Sequence, residues 1–169
     1  MFFRRNPEAT PAPTVGEELL AVVRQHMADA DEAEVRVVAA VAGLFACVAY
    51  ADRDYSPAEA EQIRRYLGHI QDLPPEAARA IGALLDRATA DLARVGVHGH
   101  TRVVKEGTER EARVELLEVL MDIAAADGTI RLSETELLRQ VAKLLGLGAD
   151  DYLAVQDRHR DKLEVLAGR

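Results

Sequence analysis

An all-α chain of about seven helices, folded as a single domain over residues 14–169, follows from three observations. The first is composition: Ala, Leu, Glu and Arg dominate, aromatics make up only 4% and there is no Trp, so the apolar residues suit closely packed helices. The second is that helix-start signals recur in front of amphipathic runs along the whole chain. The third is an internal repeat, in which one unit of helix, acidic turn and helix occurs twice.

The elements follow in order. Residues 1–13 carry three prolines between Pro7 and Pro13 and read as a flexible leader. Thr14 and Glu17 have capping-box spacing and open a first helix that runs to about Ala28. Asp31 caps a second, to about Ala51. Ser56, Pro57 and Glu59 supply a cap, a first-position proline and a partner three residues after the cap, and start a third helix that ends near Ile70. Pro74-Pro75 starts a fourth, to about Val95. Gly96-Val97-His98-Gly99-His100 is the clearest break, and the segment to Gly107 reads as a loop, its Thr101–Val104 stretch being short for a strand. Thr108 caps a fifth helix to about Ala126, a sixth spans Leu132 to Leu145, and Gly146 and Gly148 stop it. A seventh, from Asp150 to about Leu166, closes the domain.

Size and charge narrow the possible functions. With 169 residues, 49% hydrophobic and 30% charged, the chain can bury a sizeable core and is not a disordered sequence. A net charge of −8 argues against sequence-independent binding to nucleic acid, which needs clustered Lys and Arg. The longest uncharged stretch, 37–51, falls short of the roughly 20 residues that span a bilayer and is half Ala or Gly, so it reads as a buried core helix. A cytoplasmic protein with no membrane span is expected. The lone Cys47 lies in that run and reads as a small buried hydrophobe.

Sliding the chain by 75 residues lays Leu44–Ile70 over Val119–Leu145. Ala49, Ala51, Asp52, Glu59, Glu61 and Arg64 then fall on Ala124, Ala126, Asp127, Glu134, Glu136 and Arg139. Both units carry an apolar residue three after the Asp (Tyr55, Ile130) and a Glu seven after it. Two such units can bury their apolar faces against each other about a pseudo-twofold axis. The expected core at their junction is Leu44, Phe45, Val48, Leu120 and Ile123.

Asp52 and Asp127 sit at helix C-termini, the end where an anion costs roughly 0.3–1 kcal/mol. Two readings account for their recurrence. An Asp carboxylate can accept backbone N–H bonds two or three residues on, while Glu59 and Glu134 complement the N-terminus of the next helix. Alternatively, Asp52, Glu59, Asp127 and Glu134 converge and hold a hard divalent cation by oxygen ligands. Four gathered carboxylates would repel one another unless a cation or a basic group lay between them. An EF-hand does not fit, because Pro57 replaces its glycine and Ile63 its bidentate Glu.

The two segments Val48-Ala-Tyr-Ala-Asp-Arg-Asp-Tyr-Ser-Pro-Ala-Glu59 and Ile123-Ala-Ala-Ala-Asp-Gly-Thr-Ile-Arg-Leu-Ser-Glu134 resemble the signature of the TerB-like tellurite-resistance family. That family includes the N-terminal domain of the membrane-anchored co-chaperone DjlA. The resemblance runs from about Val37 to Leu166; the second copy is the closer, since Arg53 stands where the first would carry Gly. It implies an all-helical, non-enzymatic stress-response protein acting with other stress-response proteins. It also implies an acidic surface cluster for a divalent cation such as Ca²⁺, Mg²⁺ or Mn²⁺, carried here by Asp52, Glu59, Asp127 and Glu134. With no spanning helix and no His-Pro-Asp motif, co-chaperone activity is not implied.

Other chemistry is thinly represented. His98-Gly99-His100 reads as a solvated loop and His159, between two arginines, as surface. No catalytic Ser-His-Asp order, phosphate-binding glycine loop or zinc spacing occurs. A metal-dependent hydrolase with carboxylates on helices is the alternative function. An enclosed pocket beside the carboxylates would favour it, and a shallow exposed patch the binding module.

Overall fold

The computed structural model describes residues 12–164. Among them are eight α-helices: α1 (Val15–His26), α2 (Glu32–Ala49), α3 (Pro57–Leu67), α4 (Pro75–Val95), α5 (Val97–Gly107), α6 (Arg110–Ala124), α7 (Leu132–Leu144) and α8 (Ala149–Asp157). A short 3₁₀ turn, Arg160–Lys162, follows α8, and the described residues contain no strand beyond an isolated parallel bridge between Ile130 and Leu163. Residues 1–11 of the expected leader, and the expected end of the last helix near Leu166, lie outside the described residues.

Capping sets the first three helices. Thr14, Asp31 and Ser56 each accept the N–H of the residue three on, and Glu17, Glu34 and Glu59 reach back to the cap's own N–H. Helix α2 is apolar almost all round and lies at the centre, touching α1, α4, α5 and α6. Leu44, Phe45, Val48, Leu120 and Ile123 are all buried where α2 and α6 meet. Cys47 is buried too, and desolvation pushes its thiol up to about 11, so the thiol is the favoured form. Helix α4 bends at Ala88 (φ −135°, ψ 15°), beside Thr89, whose hydroxyl donates to the Leu85 carbonyl four residues back.

Three expectations are corrected. The segment read as a loop, 97–107, is helix α5. Gly96 makes the break (φ 79°), but beyond it Val97, Thr101 and Val104 are buried against the core, and that packing overrides the poor helix propensity of Val97-His98-Gly99-His100. Thr108 therefore ends α5, donating to the Val104 carbonyl (2.6 Å), instead of capping the next helix, which starts at Arg110 with no side-chain cap. His98 is an exposed helical residue, and His100 is half-buried with its ring over Gly43 of α2.

Helix α8 ends at Asp157, where the chain turns to bring 159–164 back across the second acidic turn. The Ile130 N–H donates to the Lys162 carbonyl (2.7 Å), and the Glu164 N–H to the Ile130 carbonyl (3.0 Å). His159, expected at the surface, is buried. Its Nε2 lies 2.5 Å from Asp122 Oδ1, and its Nδ1 faces the Val155 carbonyl.

Candidate cation site at the paired acidic turns

The two turns have the same local construction at a spacing of 75 residues. Helices α2 and α6 each end three residues before an Asp. Asp52 Oδ1 accepts from the Asp54 N–H (2.9 Å), and Asp127 Oδ1 from the Thr129 N–H (3.0 Å). This is Asx-turn chemistry, and it uses one oxygen of each carboxylate. The residue between donor and acceptor has positive φ in both turns, 67° at Arg53 and 99° at Gly128. Glycine enters this region without strain, whereas Arg53 bears the cost of a side chain there.

Each turn then starts the following helix with a Glu folded back on it. Glu59 Oε2 accepts the Ser56 N–H (2.7 Å), and Glu134 Oε2 accepts the Arg131 N–H (2.6 Å). Both side chains are enclosed: Glu59 is 4% exposed and Glu134 only 2%. Burial pushes Glu59 up to about 7, and the neighbouring charges of Asp52 and Asp127 add to it. Glu134 is pushed up to about 8, first by burial and then by Glu59, Asp52 and Asp127. All four carboxylates therefore act on one another.

Arg131 lies between the two Asp side chains. Its Nε is 3.8 Å from Asp52 Oδ2, and its Nη2 is 3.3 Å from Asp127 Oδ2. One guanidinium thus reaches both turns, and it is the basic group that gathered carboxylates require. The patch is open: the side chains of Asp52, Asp127 and Arg131 are 24%, 30% and 44% exposed. Among the described residues no three His, Cys, Asp or Glu side chains stand close enough to one another to hold an ion as arranged. The Asp carboxylates are turned to the guanidinium.

Residues 38–157 match the family model for Tellurite resistance protein TerB. The chain belongs to the TerB family. No curated protein and no solved structure matches it. The TerB match begins within α2 and ends with α8, so it contains both acidic turns, Arg131 and all four carboxylates. Helix α1 and the returning segment 159–164 lie outside it.

Three features of this TerB chain were not foreseen from its sequence. Arg131 occupies the place of Ser56 in the repeat, where a cap and not a counter-charge is expected; its spacing of four from Asp127 is the signal that marks it. Glu164 accepts the Leu132 N–H (2.9 Å), so it caps α7 from 32 residues away, and its charge acts on Arg131. Finally, Asp122 joins three elements, accepting from Tyr66 of α3 and contacting His159 after α8. The Tyr66 hydroxyl is pushed up to about 12 by burial and by Asp122.

Proposed function

We propose that this TerB chain is a cytoplasmic, non-enzymatic stress-response module that binds a divalent cation (Ca²⁺, Mg²⁺ or Mn²⁺) through Asp52, Glu59, Asp127 and Glu134. Bound or free, the patch would present a face to other stress-response proteins. The observation that carries this reading is the pair of enclosed carboxylates, Glu59 and Glu134, set beside two more, with a single exposed arginine as counter-charge. With Glu59 held up at about 7 and Glu134 at about 8, both are substantially protonated at neutral pH, and a dication bound beside them would favour their ionised forms.

The four residues are of the type such an ion takes, although among the described residues no three stand close enough together to hold it as arranged. All are hard oxygen donors from side chains. The second oxygen of each Asp already faces a cationic group, the Arg131 guanidinium. A cation there would neutralise the cluster and tie α2–α3 to α6–α7. The open form of the patch favours binding over hydrolysis, because a hydrolase needs substrate enclosed beside its metal. No described helix is long and apolar enough to cross a membrane.

Calorimetric titration with Ca²⁺, Mg²⁺, Mn²⁺ and Zn²⁺, paired with melting curves, tests the reading. A cation bound only by the folded state raises the melting temperature of the parent protein. The double variant Asp52→Asn, Asp127→Asn should lose both the heat of binding and the rise, with its helical circular dichroism retained. If the double variant responds as the parent does, the two Asp residues are turn formers only and the proposal is wrong.

A further inference from the structure

We propose that the cavity between the end of α2 and the starts of α5 and α7 is a binding site for a small molecule with one anionic head, carboxylate or phosphate, on an apolar body. None of the four carboxylates lines it, so the site is independent of the cation reading above.

The cavity has a volume of about 420 Å³, within the range of small-molecule sites. Its apolar lining includes the buried Cys47 and Val97, together with Leu137. Arg53, Arg94 and His98 also line it, with Tyr50 and Ser133 as hydroxyl donors, and no Asp or Glu is among the described lining residues. The chain carries 29 acidic against 21 basic residues, so a lining of this kind runs against its composition. A larger cavity, of about 680 Å³, follows the composition instead: Asp29, Asp31, Glu34 and Asp72 line it, with no Arg or Lys among its described lining residues.

The cations of the smaller cavity are available to a ligand. Arg53 makes no ion pair among the described residues, and it holds φ 67° where the equivalent turn places Gly128. A side chain that keeps its backbone strained while pairing with nothing points to a use for its charge. Arg94 meets Asp91 (2.6 Å), but the two lie three residues apart on one helix with both side chains more than half exposed, and the guanidinium keeps donors for a second anion. Helix α5 starts at Gly96 with no side-chain cap, so the N–H groups of Val97 and His98 add to the arginines as donors for an oxyanion. The apolar lining takes the body of the ligand, and the basic groups fix its head.

The test is titration of the full chain followed by amide NMR, with octanoate and octyl phosphate as probes and octanol and acetate as controls. Both probes should shift the amides of Val97, His98 and Ser133 saturably, and the tighter of the two identifies the head. Octanol, which has the body without the charge, should bind about tenfold more weakly than octanoate, the factor set by charge-assisted hydrogen bonds to the head. Acetate, which has the charge without the body, should also bind more weakly. Arg53→Gln should weaken octanoate about five- to tenfold and leave octanol unchanged. Arg79→Gln, which removes an exposed arginine elsewhere on α4, should change neither. Arg53→Gly should lose the same affinity while its melting temperature holds or rises, since glycine takes this φ without strain, and loss of binding is thereby separated from loss of fold.

Equal affinity for octanoate and octanol, or unchanged octanoate affinity in the Arg53 variants, overturns the proposal. So does the absence of saturable shifts at these amides with both probes. Each of these results leaves the cation reading standing, because it concerns other residues.

Discussion

Glu59 and Glu134 show how a residue type ordinarily found in water is kept inside. Each has one oxygen on a backbone N–H, which lowers its pKa, and each is raised by a larger amount through burial. A carboxyl whose pKa rises on folding stabilises the fold fully below its unfolded pKa, near 4.3. That contribution is lost as pH climbs through the folded values, here about 7 and about 8. In the absence of divalent ions the protein should thus be more stable at pH 5 than at pH 8.5. Glu134→Gln keeps a carbonyl oxygen for the Arg131 N–H and removes the charge. It should stabilise the protein at pH 8.5 relative to the parent, on the order of 2 kcal/mol, with the difference shrinking or reversing at pH 5. Urea unfolding at the two pH values measures this. A difference independent of pH would mean that Glu134 does not titrate in this range.

At the scale of elements, α2 decides most of the packing. Phe45 is 2% exposed at the centre of the helix. Truncating it to Ala should cost about 3–5 kcal/mol in chemical denaturation. A loss under about 1 kcal/mol would fit a surface site instead. Gly43, two residues earlier, governs the approach of α5. A Cβ there would overlap the His100 ring, with Nδ1 only 2.8 Å away. Gly→Ala in a helix ordinarily gains up to about 1 kcal/mol, but Gly43→Ala should destabilise by pushing α5 outward. Burial lowers the pKa of His100, and its Nε2 is buried without a partner among the described residues. Cutting the ring away should therefore cost little, and the double variant Gly43→Ala, His100→Ala should recover much of the loss in melting temperature. If Gly43→Ala alone raises stability, the ring swings aside freely and α5 is not seated by this contact.

This contact also explains what could be read from the residue order. The helices with side-chain caps, at Thr14, Asp31 and Ser56, were legible, because capping is local chemistry. Helix α5 was not, since its first turn is made of Val97, His98, Gly99 and His100 and only packing on α2 keeps it helical. The four carboxylates could be named from the 75-residue repeat, which preserves their spacing to each turn. Arg131 and Glu164 could not, because their roles depend on which distant segments meet. The same holds for His159: two flanking arginines suggest solvent, and only the fold brings Asp122 to it.

For the whole molecule, the repeat supplies two turns of like construction, but their surroundings differ. The first is completed by residues close to it in the chain: Asp54, Ser56 and Glu59 satisfy it within eight positions of Asp52. The second waits for 159–164, which bonds both sides of Ile130 and caps α7 through Glu164. On a ribosome the two turns therefore mature at different times. The first needs nothing beyond Glu59 for its own hydrogen bonds. The second stays open until the residues that flank it in space, more than thirty positions later, have left the exit tunnel. The surroundings of the four carboxylates are thus complete only once the segment 159–164 has been made and has folded back.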